Sequence, residues 1–290
     1  MGIDPSPSAE RTSQVSPAAA AALTPEDTAF LAALAPTAPS AYHRLNPLTK
    51  AVAATAESLG AFLIGGYLGP LAIIALAIIP SALAAGVARR LFRISLLLTL
   101  PIAISVVLVS VFTRAGTHVL FSIGPFDATS EGVDFAGQTL VRLLAISTSI
   151  GLFGLTTDPR GFVLDLERRG LSPRFAFVAL ATLEAVPAMV ERAGVIAAAQ
   201  RARGLDTEGS VRARIRGVLP LVGPVVLSSL TEVEERSLAL EVRAFGKPGR
   251  RHLLWRIPDS GAQLAARAVV LLALVAVLVA RLSGTFPNLP

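Results

Sequence analysis

Two arginines, Arg203 and Arg243, stand forty residues apart at the ends of two stretches of similar plan. The first reads AMVERAGVIAAAQRARGLD after Pro187, the second VVLSSLTEVEERSLALEVRAFG after Pro224. In the first, Met189, Ala193, Ile196 and Ala197 fall on one side at helical spacing, with Glu191 opposite. At 3.6 residues per turn, Gln200 and Arg203 prolong that apolar side, so the buried stripe runs into a charged end, and Gly204 takes the stop position. The second begins apolar, turns charged at Glu232, Glu234, Glu235 and Arg236, and closes with Arg243 before Gly246. A guanidinium at a helix end has two uses. It complements the helix dipole, a contribution of about 0.3–1 kcal/mol, or it docks into an acidic socket, where its rigid fork makes two-point contact with a carboxylate. One such end has the first reading; two matched ends in one segment point to docking.

Other chemistries lack their residues. With no cysteine there are no thiolate zinc sites, disulfides or iron–sulfur ligands. His43, His118 and His252 have no i, i+3 or i, i+4 partner, so no helix-borne metal site is expected. Asp158 and Asp165 are not spaced as a D-x-x-x-D pair for a metal-bound diphosphate and no second pair exists, which argues against a membrane-embedded transferase. No G-x-x-x-x-G-K-[ST] pattern occurs, so a nucleotide site is not expected in this chain. An ion-coupled secondary transporter should display internal repeats, and the apolar blocks show none that convinces.

The elements that position the two ends are membrane helices. Of 290 residues, 53% are hydrophobic and 16% charged, with a mean hydropathy of +0.64. About 20 apolar residues cross a bilayer core, and five stretches qualify: Pro47 to Ile64, the weakest; Tyr67 to Ala88, joined to it by a tight hairpin through Gly65, Gly66, Gly69 and Pro70; Ile94 to Thr113; Gln138 to Thr156; and Ala262 to Ala280, the clearest. The expected fold is therefore an all-α polytopic membrane protein with amphipathic helices between the last two spans. Residues 1–42 read as a disordered tail with a short helix possible over Glu26 to Ala35, 43–157 as four spans, 158–258 as a cytoplasmic region, and 259–290 as the last span with a short external tail. The tail lacks the basic-then-apolar pattern of a secretory signal.

Orientation follows Lys and Arg. Arg89, Arg90 and Arg93 place the second link inside, Arg44 and Lys50 flank the first span, and sixteen Lys and Arg lie between Arg160 and Arg256. The amino terminus is thus expected inside and the carboxyl terminus outside. Within the long segment, apolar stretches near Phe175 to Ala185 and Val218 to Leu230 read as half-buried or interfacial helices, the first closed by Pro187 and the second broken by Pro220 and Pro224. They are equally suited to a membrane partner, with Ala181 and Gly223 allowing close approach, and to packing on the chain's own spans. Glu57 and Arg142 are candidates for a proton or ion path; the structural reading is preferred, in which Glu57 faces a neighbouring helix while Arg142 and Arg267 snorkel to the outer and inner faces. His43 reads as a packing residue.

Four places resemble the transmembrane T component of energy-coupling factor transporters, the CbiQ/EcfT-like proteins. His43-Arg44-Leu45-Asn46-Pro47-Leu48-Thr49-Lys50 looks like the amino-terminal signature, Thr156-Thr157-Asp158-Pro159 like the exit from the membrane, and Ala199 to Gly204 and Ala239 to Gly246 like the two Ala-Arg-Gly motifs. The second motif departs from the pattern: Ala244 stands where Gly is expected, and Gly246 is the alternative stop. The resemblance implies a non-catalytic scaffold without cofactor. It would join two cytoplasmic ABC-type ATPases, through Ala202, Arg203, Gly204, Arg243, Ala244, Phe245 and Gly246, to a small substrate-binding membrane subunit for uptake of a vitamin or a transition metal ion. No nucleic-acid partner is implied, and the location is the cell membrane.

Overall fold

The computed structural model describes residues 40, 42–113, 118–123, 126–204, 211–245 and 259–283. The predicted amino-terminal tail with its Glu26 to Ala35 helix, His252, Gly246 and the carboxyl-terminal tail after Ser283 lie outside the described residues.

Helix dominates. In chain order the helices are α1 (Pro47–Leu63), α2 (Leu68–Ala85), α3 (Ala88–Thr113), α4 (Ser130–Thr156), α5 (Pro159–Arg168), α6 (Pro173–Ala202), α7 (Val211–Val242) and α8 (Gly261–Leu282), with a hairpin of β1 (Val119–Ile123) and β2 (Phe126–Thr129) before α4. Among the described residues five helices are long and apolar enough to cross a membrane: α2, α3, α4, α6 and α8. The number matches the sequence expectation but the membership does not. Helix α1, predicted as the first span, has 17 residues, about 26 Å. Helix α6, predicted as two short pieces, is one helix of 30 residues with Pro187 inside it.

Prolines account for that correction. Pro187 does not close a helix, and Pro220 and Pro224 do not break α7; all three lie within continuous helices, as does Pro101 in α3. A proline removes one i to i−4 bond and crowds the preceding turn, but apolar helices carry it when neighbouring groups satisfy the freed carbonyl. Backbone irregularity appears in α2, where Ile74–Ile78 winds as a π segment just ahead of Pro80.

Two compact units divide the described chain. One is the segment Glu167–Leu253, the other Pro36–Leu166 with Leu254–Pro290. In the latter, Ile78, Ala82, Ala85, Val87, Leu91 and Leu152 form the principal buried cluster, covered by Tyr42, Ile73, Ile74, Ala88 and Leu155. Helices α3 and α4 run antiparallel, tied by Thr99 Oγ1 to Ser147 Oγ at 2.8 Å. Their close approach needs Gly132, since a Cβ there would stand 2.6 Å from the Ser110 carbonyl oxygen. The hairpin pairs Val119 with Thr129 and Ile123 with Phe126, with a register shift between Val119 and Phe121. Thr129 then caps α4, accepting from the Gly132 N–H at 3.2 Å.

In the other unit α6 and α7 pair antiparallel. Arg192 Nη2 meets Glu232 Oε2 at 2.6 Å, and the rings of Phe177 and Phe245 lie 4.8 Å apart, so partners run down α7 as they run up α6.

Candidate functional site

Both arginine ends close on a left-handed residue placed directly after the arginine. Helix α6 ends at Ala202; Arg203 is its C-cap at φ −89°, and Gly204 turns left-handed at φ +91°, its N–H donating to the Arg201 carbonyl at 2.9 Å. Helix α7 ends at Val242, and Ala244 takes the left-handed step at φ +52°, donating to the Glu241 carbonyl at 2.9 Å, while the Phe245 N–H reaches the Leu240 carbonyl at 2.9 Å. These two bonds, one from each of the residues after the cap, form a Schellman stop. Gly246 was the alternative stop in the sequence; the turn closes two residues before it.

Ala244 is the one non-glycine with positive φ among the described residues. The left-handed conformation costs an L-residue about 1–2 kcal/mol. Phe245 offsets it, because the turn carries its ring onto Phe177 of α6. Ala202, Arg203 and Gly204, and likewise Arg243 and Ala244, are exposed, and neither Arg203 nor Arg243 makes an ion pair or side-chain hydrogen bond among the described residues. The two ends do not converge. With Phe245 beside Phe177, Arg243 lies at the start of α6 and Arg203 at its finish, 26 residues or about 39 Å further along the helix.

Two of the sequence motifs do converge, in the other unit. Asn46, fully buried, is the N-cap of α1 and accepts from the Leu48 N–H at 2.9 Å. Its Nδ2 donates to Asp165 Oδ1 of α5 at 3.3 Å, and its backbone N–H to Gln263 Oε1 of α8 at 2.8 Å. Asp165 is also fully buried. Lys50, read from the sequence as a flanking charge, is 3% exposed; its ammonium donates to the His43 carbonyl at 3.1 Å and the Thr156 carbonyl at 2.7 Å. The amino-terminal signature and the Thr156-Thr157-Asp158-Pro159 exit thus meet in one polar knot. Sequence reasoning did not assign Asn46, Lys50, Asp165 or Gln263 a joint role. The available signal was an amide or charged residue at the margin of each apolar block.

His43, as expected, packs: its Nδ1 lies 2.9 Å from Ser40 Oγ. Burial, and then the nearby Lys50 charge, push its imidazole below the ordinary value. Glu57 faces α4, accepting from Ser149 Oγ at 2.8 Å. Arg267 Nη2 reaches back to Asp259 Oδ1 at 2.7 Å, just ahead of α8. Arg142 is half-buried, its Nε enclosed without a partner among the described residues. No group of three or more His, Cys, Asp or Glu suited to a metal occurs among the described residues.

Residues 39–253 match the CbiQ family, described as cobalt transport protein. The chain belongs to the CbiQ family. The matched segment holds both arginine ends and, of the knot, Asn46, Lys50 and Asp165, while Gln263 lies beyond it. Relatives of this CbiQ-family chain carry the name energy-coupling factor transporter transmembrane protein EcfT. That of Heliobacterium modesticaldum is 30% identical over 249 residues, covering 80% of this chain and 92% of the relative. That of Thermosediminibacter oceani is 28% identical over 236 residues, 78% and 88% of the two chains. That of Lactococcus lactis subsp. cremoris is 25% identical over 258 residues, 84% and 95%. This CbiQ-family chain is accordingly a multi-pass membrane component of a transporter of the energy-coupling factor type.

Proposed function

We propose that this chain is the non-catalytic scaffold that couples ATP hydrolysis by two ABC-type ATPase subunits to a small substrate-binding membrane subunit, for uptake of a vitamin or a transition metal ion. The observation that carries the reading is the pair of matched helix ends. Each offers an exposed arginine at the cap and a left-handed residue after it, one at either end of an antiparallel helix pair. Two equal cationic tips suit two related sockets lined by carboxylates. Ala202, Arg203 and Gly204 form the first contact and Arg243, Ala244, Phe245 and Gly246 the second. In this reading α6 and α7 are coupling helices on the cytoplasmic side, α1, α2, α3, α4 and α8 span the membrane, and the amino terminus is inside and the carboxyl terminus outside.

Purification of the tagged chain from its native membrane in mild detergent tests this: two ATPase subunits and a small membrane protein are expected with it, and their absence overturns the reading. Replacing Arg203 and Arg243 together by Glu should release the ATPases while the chain still inserts. Retention of the ATPases by that double variant removes the role assigned to the arginines.

A further inference from the structure

The chain passes out of the unit containing α1 to α4 after Leu166 and belongs to it again along α8. Asp165 lies one residue before the first crossing, and Gln263 lies in the first turn of α8, past the second. Both are held by one residue. Asn46 gives its side-chain N–H to Asp165 and its backbone N–H to Gln263, and spends its remaining side-chain atom, Oδ1, on the cap of α1. Gln263 Oε1 also accepts from Thr49 Oγ1 at 3.4 Å. Around this point α5 is braced: Phe162 stands edge-on to Phe153 of α4, ring centroids 5.7 Å apart, and Asp158 caps its first turn by accepting from the Arg160 and Gly161 N–H groups at 3.2 and 3.0 Å.

A fully buried asparagine with three hydrogen bonds to three different segments is a costly thing to place, because any one left unmade leaves a desolvated polar group. Apolar packing alone would hold α5 and α8 to α1 without specifying their alignment. Asn46 fixes it: its side-chain amide accepts what α1 must donate and donates to Asp165 on the way to α6, while its backbone N–H donates to Gln263 on the way back from α7.

We propose that Asn46 is the positioning residue that holds both chain crossings in register, so that movement of α6 and α7 reaches α1, α4 and α8 only while Asn46 bridges Asp165 and Gln263. The inference rests on the coupling function above and adds to it the place where force enters the membrane helices. Asn46→Asp isolates the bridge, since it keeps the α1 cap and the backbone N–H but sets a carboxylate against Asp165. Adding Asp165→Asn restores a donor and acceptor pair with the direction reversed.

Hydrogen exchange followed by mass spectrometry reads both the bridge and the coupling. In the purified full chain, Asn46→Asp should speed exchange of the α5 amides about tenfold, and the double variant should return it near the wild-type rate. In the complex with the ATPases, ATP with vanadate should alter exchange in α6 and α7 and also in α1 and the first turns of α8. With Asn46→Asp the change in α6 and α7 should persist and that in α1 and α8 should vanish, and the double variant should bring it back. An undiminished response of α1 and α8 in Asn46→Asp overturns the inference. So does a double variant that protects α5 but does not restore the response. Should Asn46→Asp not accumulate, Gln263→Leu, which removes the acceptor at the other crossing, is expected to lose the same response, and its retention overturns the inference equally. A wild-type chain that binds no ATPase instead overturns the coupling function on which the inference stands.

Discussion

Ala244 holds in α7 the backbone position that Gly204 holds in α6, the left-handed step one residue after the arginine cap, at φ +52° and +91°. Equal placement on unequal residues makes the second end the costlier of the two.

Ala244→Gly should therefore stabilise the end of α7 by about 1 kcal/mol, the left-handed penalty less the added freedom of the unfolded glycine. Ala244→Val should do the reverse by a larger amount, because branching at Cβ makes positive φ harder still. Exchange rates of the Phe245 amide in the two variants check the order.

Phe177 and Phe245 hold that end against α6. A double-mutant cycle to Leu at both positions is expected to give a coupling of about 0.5–1.5 kcal/mol in the opening of the last turn of α7. Phe245→Ala should also free Arg243 to sample other directions, read as lower anisotropy order of a spin label at Val242.

Lys50→Met keeps the length of the side chain and leaves the carbonyls of His43 and Thr156 without their shared donor. A loss of about 2–3 kcal/mol is expected, in line with a buried charged hydrogen bond left unmade. The midpoint of thermal unfolding in detergent measures it.

Arg192 holds the Glu232 carboxyl below the ordinary carboxylate range, mainly through their hydrogen bond and then through charge attraction. A depressed folded value means that stability is complete above the unfolded value and lost as pH falls through the folded one. Separation of α6 from α7 should therefore grow as pH drops from about 5 towards 3, and Glu232→Gln should flatten that slope. Both residues reach solvent, so added salt should weaken the pair.

Much of the architecture is written in local patterns. The apolar blocks of α2, α3, α4 and α8 are long enough to cross a bilayer core, and Asn46-Pro47 and Ser172-Pro173 open α1 and α6 as caps before proline do. The arginine ends were legible for the same reason, since a cap is a property of five or six consecutive residues. Prolines misled because their local effect is unfavourable and their tolerance is decided by what surrounds the helix; Pro187, Pro220 and Pro224 all sit inside helices. The β1–β2 hairpin escaped notice because its strands are short and lack clean alternation. Least legible was the knot. Asn46 and Asp165 are 119 positions apart and Asn46 and Gln263 217, and no spacing rule spans such distances.

Antiparallel helices that finish alike possess a local dyad. A half-turn about an axis passing between α6 and α7 at the level of Arg192 and Glu232 carries the Arg203 tip onto the Arg243 tip. Two stretches of similar plan thereby present two backbone tips related by a near two-fold, although the side chains along the pair differ. An assembly of two like subunits can meet those tips with the same pocket twice, while a lone subunit must leave one tip idle.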